Sequence, residues 1–271
     1  MIAFFANLFG YLLNFLYNFV QNYGLAIILF SVVIKLFMLP LTINQQKTMK
    51  KNMKLQEKMR TLQVKYKNNP EKLNQEMVEL YKSENMNPFS GCLSSIAQII
   101  LLFAVFYLVR SPLTYMKKVD SSLIAEYTTE IQEKEEEKSA YTEIQIIREK
   151  GEENPEVYIN MNFLGLDLSK VPGGDFSDIK VYIIPVLYVI SSVISIKLTN
   201  NISTNKKEDE NKAEEDPMAQ TNKMMNWMMP IMSVSIALIA PLGLALYWLI
   251  NNILMIVERL VLNKFMNQEE E

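Results

Sequence analysis

Residues 224–257 carry no charged side chain, and Pro241-Leu242-Gly243 interrupts that run near its middle. A hydrocarbon core about 30 Å thick is crossed by roughly 20 residues of helix, so a single helix of that length would overshoot a bilayer. Two spans joined by a tight turn fit instead. Three further stretches are charge-poor: residues 25–42, charge-free except for Lys35, residues 89–109, and residues 181–196, which Lys180 and Lys197 bracket. The last is short, but lysine side chains reach out to the interface and extend it. The expected fold is therefore an all-α membrane protein with five transmembrane helices, over 24–42, 88–110, 180–197, 223–240 and 242–262.

Residues 1–22 are as apolar as any of these, and a sixth span or a signal peptide would be the plain readings. At 100° per residue, Asn7, Asn14, Asn18 and Asn22 fall, with Gly10 and Tyr11, in a sector of about 120°. Phe5, Leu8, Leu12, Phe15, Leu16 and Phe19 lie outside it and Phe4 at its edge. An asparagine stripe facing water and an aromatic face in lipid predict an N-terminal interfacial amphipathic helix. No Lys or Arg precedes the run and no small-x-small site follows, which argues against a signal peptide.

Loop charge sets the expected orientation. Residues 43–87 hold ten Lys and Arg against five acids, with Lys47, Lys50, Lys51 and Lys54 crowding the first span, whereas residues 111–179 hold seven against fifteen. Basic residues near span ends stay inside. This places 43–87, the loop 198–222 and the tail 263–271 in the cytoplasm, and the N-terminus and 111–179 outside. Met49, Met53, Met59 and Leu62 recur at helical spacing, as do Leu73, Met77, Leu80 and Tyr81 after Asn68-Asn69-Pro70. Asn69 as N-cap with Pro70 at the first helical position starts the second of these helices. The prediction is a cytoplasmic helical hairpin, basic outside and methionine-rich inside. Residues 126–156 are acidic and aromatic-poor, and read as a solvated helix or disorder.

The chain has no His, and Cys92 is its only cysteine. Ser-His-Asp or Cys-His catalysis, a histidine or thiolate metal site, an internal disulfide and a CxxC pair are all excluded. Without His or an intramembrane Asp pair an intramembrane protease also lacks its water-activating group. No GxxxxGK[ST] loop is present. No enzyme activity and no cofactor are expected.

Lys35 is the sharpest single feature. It sits about ten residues into the first span, roughly 15 Å deep, where a charge costs at least about 2–3 kcal/mol. Snorkelling to the cytoplasmic side is the bland account. The functional account has it facing a water-filled cavity, with Ser31, Ser94, Ser95, Gln98, Asn251 and Asn252 nearby in the cytoplasmic halves of their spans. Each of these alone is ordinary helix-helix glue. No acid lies in the first three spans, so Lys35 is expected to be unpaired and available to an incoming anionic group. Met218, Met224, Met225, Met228, Met229 and Met232 cluster at the fourth span, where they either fill a core or offer an adaptable apolar surface.

The segments YGLAIILFSVVIKLFMLPLTINQQK, NMNPFSGCLSSIAQIILLFAVFYLV, NMNFLGLDLSK and MMNWMMPIMSVSIALIAPLGLALYWLINNILMIVERLVL resemble the YidC/Oxa/Alb membrane protein insertases over nearly the whole chain. The N-P-x-x-G-C and L-Y-W-x-x-N matches are the specific ones. The resemblance implies a five-helix core with a hydrophilic groove open to cytoplasm and lipid, in a bacterial cell membrane. It further implies that the protein inserts nascent membrane proteins, alone or beside the Sec translocon. By position Lys35 matches the groove's positive residue, arginine in most relatives, so the charge is kept and the planar five-donor fork is lost. Gln98, Trp248, Asn251, Ser31 and Ser94 are the other groove candidates. Because Cys92 lies at the second span, no lipoprotein anchor is expected at the N-terminus. A short form without an extra first span or large periplasmic domain is expected. A ribosome would dock at the lysine-rich hairpin rather than at the short acidic tail, without direct nucleic-acid specificity. The alternative function is a small anion channel or transporter using Lys35, although no internal repeat supports it. A membrane chaperone that folds rather than inserts is a further reading.

Overall fold

In the computed structural model the chain is mainly helical, and the residues described are 1–84, 90–134, 140–174, 178–203, 235 and 238–268. They divide into two compact units, one built from Ala3–Lys35 with Ala104–Glu271, the other from Leu36–Phe103. Among the described residues, four helices are long and apolar enough to cross a membrane: Ile2–Val20, Tyr23–Thr48, Ile179–Leu198 and Leu242–Lys264. The chain is thus an all-α, multi-pass membrane protein. Of the expected second span, the apolar stretch Gln98–Arg110 is shorter. The expected fourth span lies outside the described residues apart from 235 and 238–240.

In the first unit, α1 runs Ile2–Val20 and closes at Gln21, whose left-handed backbone (φ 51°) returns its N–H to the Tyr17 carbonyl. Ala6, Phe9, Gly10, Leu13 and Tyr17 form its buried face at spacings of three and four, while Phe4, Leu8, Tyr11, Phe15 and Phe19 form an exposed one opposite. Gly10 is required. A Cβ there would stand 1.9 Å from the Tyr115 carbonyl oxygen, in the π-type turn Leu113–Lys117 on which α1 rests. The asparagine stripe departs from the expected water-facing role at two positions. Lys118 donates to the Asn7 amide oxygen, and the Asn22 amide donates to the Asn162 carbonyl at 2.7 Å. The stripe flanks the packed face, so its short polar groups meet backbone and lysine from the rest of the unit.

Helix α2 (Tyr23–Lys65) is continuous for 43 residues, roughly 65 Å. The expected boundary between span and loop at residues 42–43 is not a break. Pro40 removes one hydrogen bond from the ladder, that to the Leu36 carbonyl, and the Gln, Lys, Met and Leu residues beyond it favour helix. Tyr23, Ala26, Ile27, Phe30 and Ile34 are its buried face in the first unit.

The described residues between Ser111 and Gly174 are folded. After α4 (Ser90–Arg110), helices α5 (Ser121–Lys134) and α6 (Thr142–Lys150) pack together and bury Ile131, Ile144, Ile146 and Ile147. Of the two alternatives expected over 126–156, a solvated helix or disorder, the described residues take the helical one, with an apolar side that is buried rather than solvated. Lys150 bridges to Glu130 at 2.6 Å, and Arg110 Nε donates to the Ala140 carbonyl at 2.7 Å. Strands β1 (Asn162–Phe163) and β2 (Leu166–Asp167) form a short hairpin whose central residues Leu164 and Gly165 both take positive φ. The chain leaving it caps α8 (Leu242–Gln268): the Leu168 and Lys170 carbonyls accept from the N–H groups of Gly243 and Leu242, both at 2.9 Å. Helix α7 (Ile183–Ser203) packs along α8, where the buried Asn252 amide donates to the Ser191 and Ser192 hydroxyls at 3.0 Å each.

In the second unit, α3 (Pro70–Ser83) starts as its sequence predicts, with the Asn69 side chain accepting from the Lys72 N–H. Lys58 meets Glu84, Met59 meets Tyr81 and Tyr66 meets Glu76, at 2.5, 3.4 and 3.1 Å. Partner numbers that rise on one helix as they fall on the other define an antiparallel pair, with Leu55 and Met59 buried.

Candidate functional site

Lys35 ends the part of α2 that belongs to the first unit, one turn beyond Ser31 on the same face. Its Nζ lies 2.5 Å from Oε2 of Glu258, on α8, with side-chain exposures of 25% for the lysine and 6% for the acid. The expectation of an unpaired cation is corrected by this contact. The first three spans hold no acid, and Glu258 comes 223 positions after Lys35, as the first acid after the charge-free run. No periodicity in the sequence predicts that pairing, because it depends on how α2 and α8 are rotated against each other.

The pair is incompletely satisfied. A carboxylate accepts through both oxygens, yet Glu258 Oε1 is buried and has no hydrogen-bond partner among the described residues. In a site of this kind the Coulomb attraction of one contact works against the desolvation of a whole carboxylate.

The remaining candidates fall into three groups. Ser31 is buried and donates to the Ile27 carbonyl at 2.8 Å, one turn back on its own helix. Asn251 lies two turns before Glu258 on the same face of α8 and donates to the Tyr247 carbonyl at 2.8 Å. Trp248 is half-buried with its ring 6.5 Å from that of Tyr188. The Lys35 to Glu258 contact thus joins the α2 face that carries Ser31 to the α8 face that carries Asn251. Gln98 belongs to the second unit and is exposed, donating to the Gln45 side chain at 2.8 Å. The Ser94 and Ser95 side chains lie outside the described residues, as do the clustered methionines of the expected fourth span. Among the described residues no group of three or more Cys, Asp or Glu is arranged to hold a metal ion.

The family model described as 60Kd inner membrane protein matches residues 15–270. Membrane protein insertase YidC of Chlorobaculum tepidum is 30% identical over 259 residues, 95% of this chain and 35% of that protein. Membrane protein insertase YidC of Treponema denticola is 28% identical over 249 residues, 92% of this chain and 35% of the relative. A shorter stretch of 92 residues is 49% identical to the protein of that name in Prosthecochloris aestuarii, covering 34% of this chain and 16% of the relative. The chain spans about a third of the length of the first two curated relatives.

Proposed function

This chain belongs to the 60Kd inner membrane protein family, and on that premise we propose that it inserts integral membrane proteins into the bacterial cell membrane and assists their folding. Two of its relatives are named membrane protein insertase. The observation that carries the reading is a charged cluster, Lys35 in contact with Glu258 and Arg259 next to that acid, on two helices long and apolar enough to cross a membrane. Polar groups at such depth serve a hydrated path, since a solvated polar segment loses its water on entering lipid.

The working arrangement has five spans, the N-terminus and residues 111–179 outside, and the antiparallel pair of α2 and α3 in the cytoplasm. The helix pair receives the nascent chain. A groove lined by Lys35, Ser31, Asn251 and Trp248 holds the substrate's short polar tail part-way across, with water as its second solvent. The substrate's own apolar helix leaves sideways into lipid, and its burial, at about 25 cal/mol per Å², drives the step without nucleotide. The exposed aromatic face of α1 rests in the outer interface. Partners are nascent membrane proteins, the surrounding lipid, the Sec translocon and a ribosome docked at the lysine-rich helix pair.

Reconstitution tests this directly. Liposomes carrying the purified chain should protect the translocated tail of a single-span substrate from external protease without ATP, and protein-free liposomes should not. Anion flux through the same liposomes, with no gain in tail protection, would support a channel and overturn the reading.

A further inference from the structure

The Lys35 cation is already occupied by a carboxylate of the same chain. Glu258 contacts it at 2.5 Å and is 6% exposed, whereas Lys35 keeps a quarter of its side chain open. An acidic group that reaches the lysine from that open side either takes the place of Glu258 or sits beside it on another N–H of the same ammonium, where the two carboxylates repel. The Glu258 carboxylate already lacks a partner for Oε1 among the described residues. Among the described residues its one close contact is that through Oε2, with the Arg259 charge next to it in the chain.

We propose that Glu258 is a specificity-determining residue: an internal carboxylate that competes with the substrate for Lys35 and lowers the positive charge that Lys35, with Arg259 beside the acid, presents, so that the groove admits neutral polar tails more readily, relative to acidic ones, than it would without Glu258. This rests on the groove reading given above and adds the substrate class to it. The exchange swaps one carboxylate for another on the same ammonium. The net charge beside Lys35 rises by one negative unit whenever an acidic tail enters with Glu258 still ionised, and a neutral tail imposes no such change. Like charges brought together in a partly desolvated site repel strongly.

The test uses proteoliposomes with three variants, Glu258→Gln, Glu258→Asp and Lys35→Met/Glu258→Gln. The substrates are two single-span proteins whose extracellular tails differ only in Asp against Asn. Replacing Glu258 by Gln keeps the shape and frees the lysine charge, so the ratio of acidic-tail to neutral-tail insertion should rise about fivefold, the factor that corresponds to roughly 1 kcal/mol. Glu258→Asp retains a competing carboxylate and should keep the wild-type ratio, and it serves as a folded control. In the double variant the gain should vanish. An unchanged ratio in Glu258→Gln, or equal losses for both tails, overturns the competition and leaves Glu258 a packing residue. A raised ratio that persists without Lys35 contradicts the groove-charge reading itself.

Discussion

The Lys35 ammonium and the Glu258 carboxylate, 2.5 Å apart, are each other's counter-ion across α2 and α8, with the acid the more deeply buried of the two. The two single deletions are therefore unequal. Lys35→Ala strands a buried carboxylate and should cost about 2–4 kcal/mol. Glu258→Ala strands a lysine with a route to water along its own stem and should cost about 1 kcal/mol or less. Reversible unfolding of the purified protein in bicelles measures both. Lys35→Met/Glu258→Leu should recover most of the loss, and equal costs for the two single variants would mean that the pair is solvated.

That asymmetry bears on what was legible in the sequence. The depth of Lys35 could be read from its place in an apolar run, and the start of α3 from Asn69, Pro70 and Glu71, because spans and caps are local. The partner of Lys35 could not, since it rests on the relative rotation of helices 223 positions apart. The end of the first span was drawn where polar residues begin, yet α2 continues to Lys65 because polarity does not stop a helix in the absence of a capping signal. By charge alone the acidic stretch reads as a solvated helix or disorder, while its four isoleucines at positions 131, 144, 146 and 147 form a buried side. Of the groove candidates, Ser31, Lys35 and Asn251 share the joined faces of α2 and α8, and Gln98 satisfies Gln45 in the other unit.

Glu143 ties α6 to the turn after α4. It accepts from the Thr114 N–H at 3.0 Å and the Thr114 hydroxyl at 2.6 Å. Burial pushes its carboxyl above the ordinary carboxylate value, and the Thr114 bonds pull it part of the way back. The folded form therefore holds this proton more tightly than the unfolded form does. Its contribution to stability is fully present below the ordinary value and is lost as pH rises through the raised one. Asp178, held low by Lys170, and Asp120, held low by Ser122, act in the opposite sense, losing stability as pH falls through their depressed values. Hydrogen exchange of residues 141–150, corrected for intrinsic rates, should show tighter protection at mildly acidic pH than at neutrality. Glu143→Gln should flatten that dependence, because its amide still serves Thr114. An unchanged profile in Glu143→Gln would assign the effect to another group.

Close approach of α1 to the turn at Tyr115 depends on Gly10. An alanine Cβ would meet backbone, which has no rotamer to yield, so Gly10→Ala should cost about 1–3 kcal/mol and lift α1 from its seat. Lys118 sits 4.8 Å above the Tyr11 ring, which supplies a reporter. Acylation of Lys118 by an amine-reactive reagent, read by mass spectrometry, should be slow with Gly10 present and several-fold faster with Gly10→Ala. Equal rates would show that the seat tolerates the extra carbon.

The central claim is that a substrate passes through the groove beside Lys35 before it is a finished membrane helix. Site-specific photo-crosslinking from positions 31 and 248 to a nascent single-span chain, stalled at successive lengths, tests it most directly. The account predicts crosslinks to the polar tail at intermediate lengths, fading once the apolar segment is fully released into lipid. Crosslinks that form only to completed, already inserted helices would contradict it.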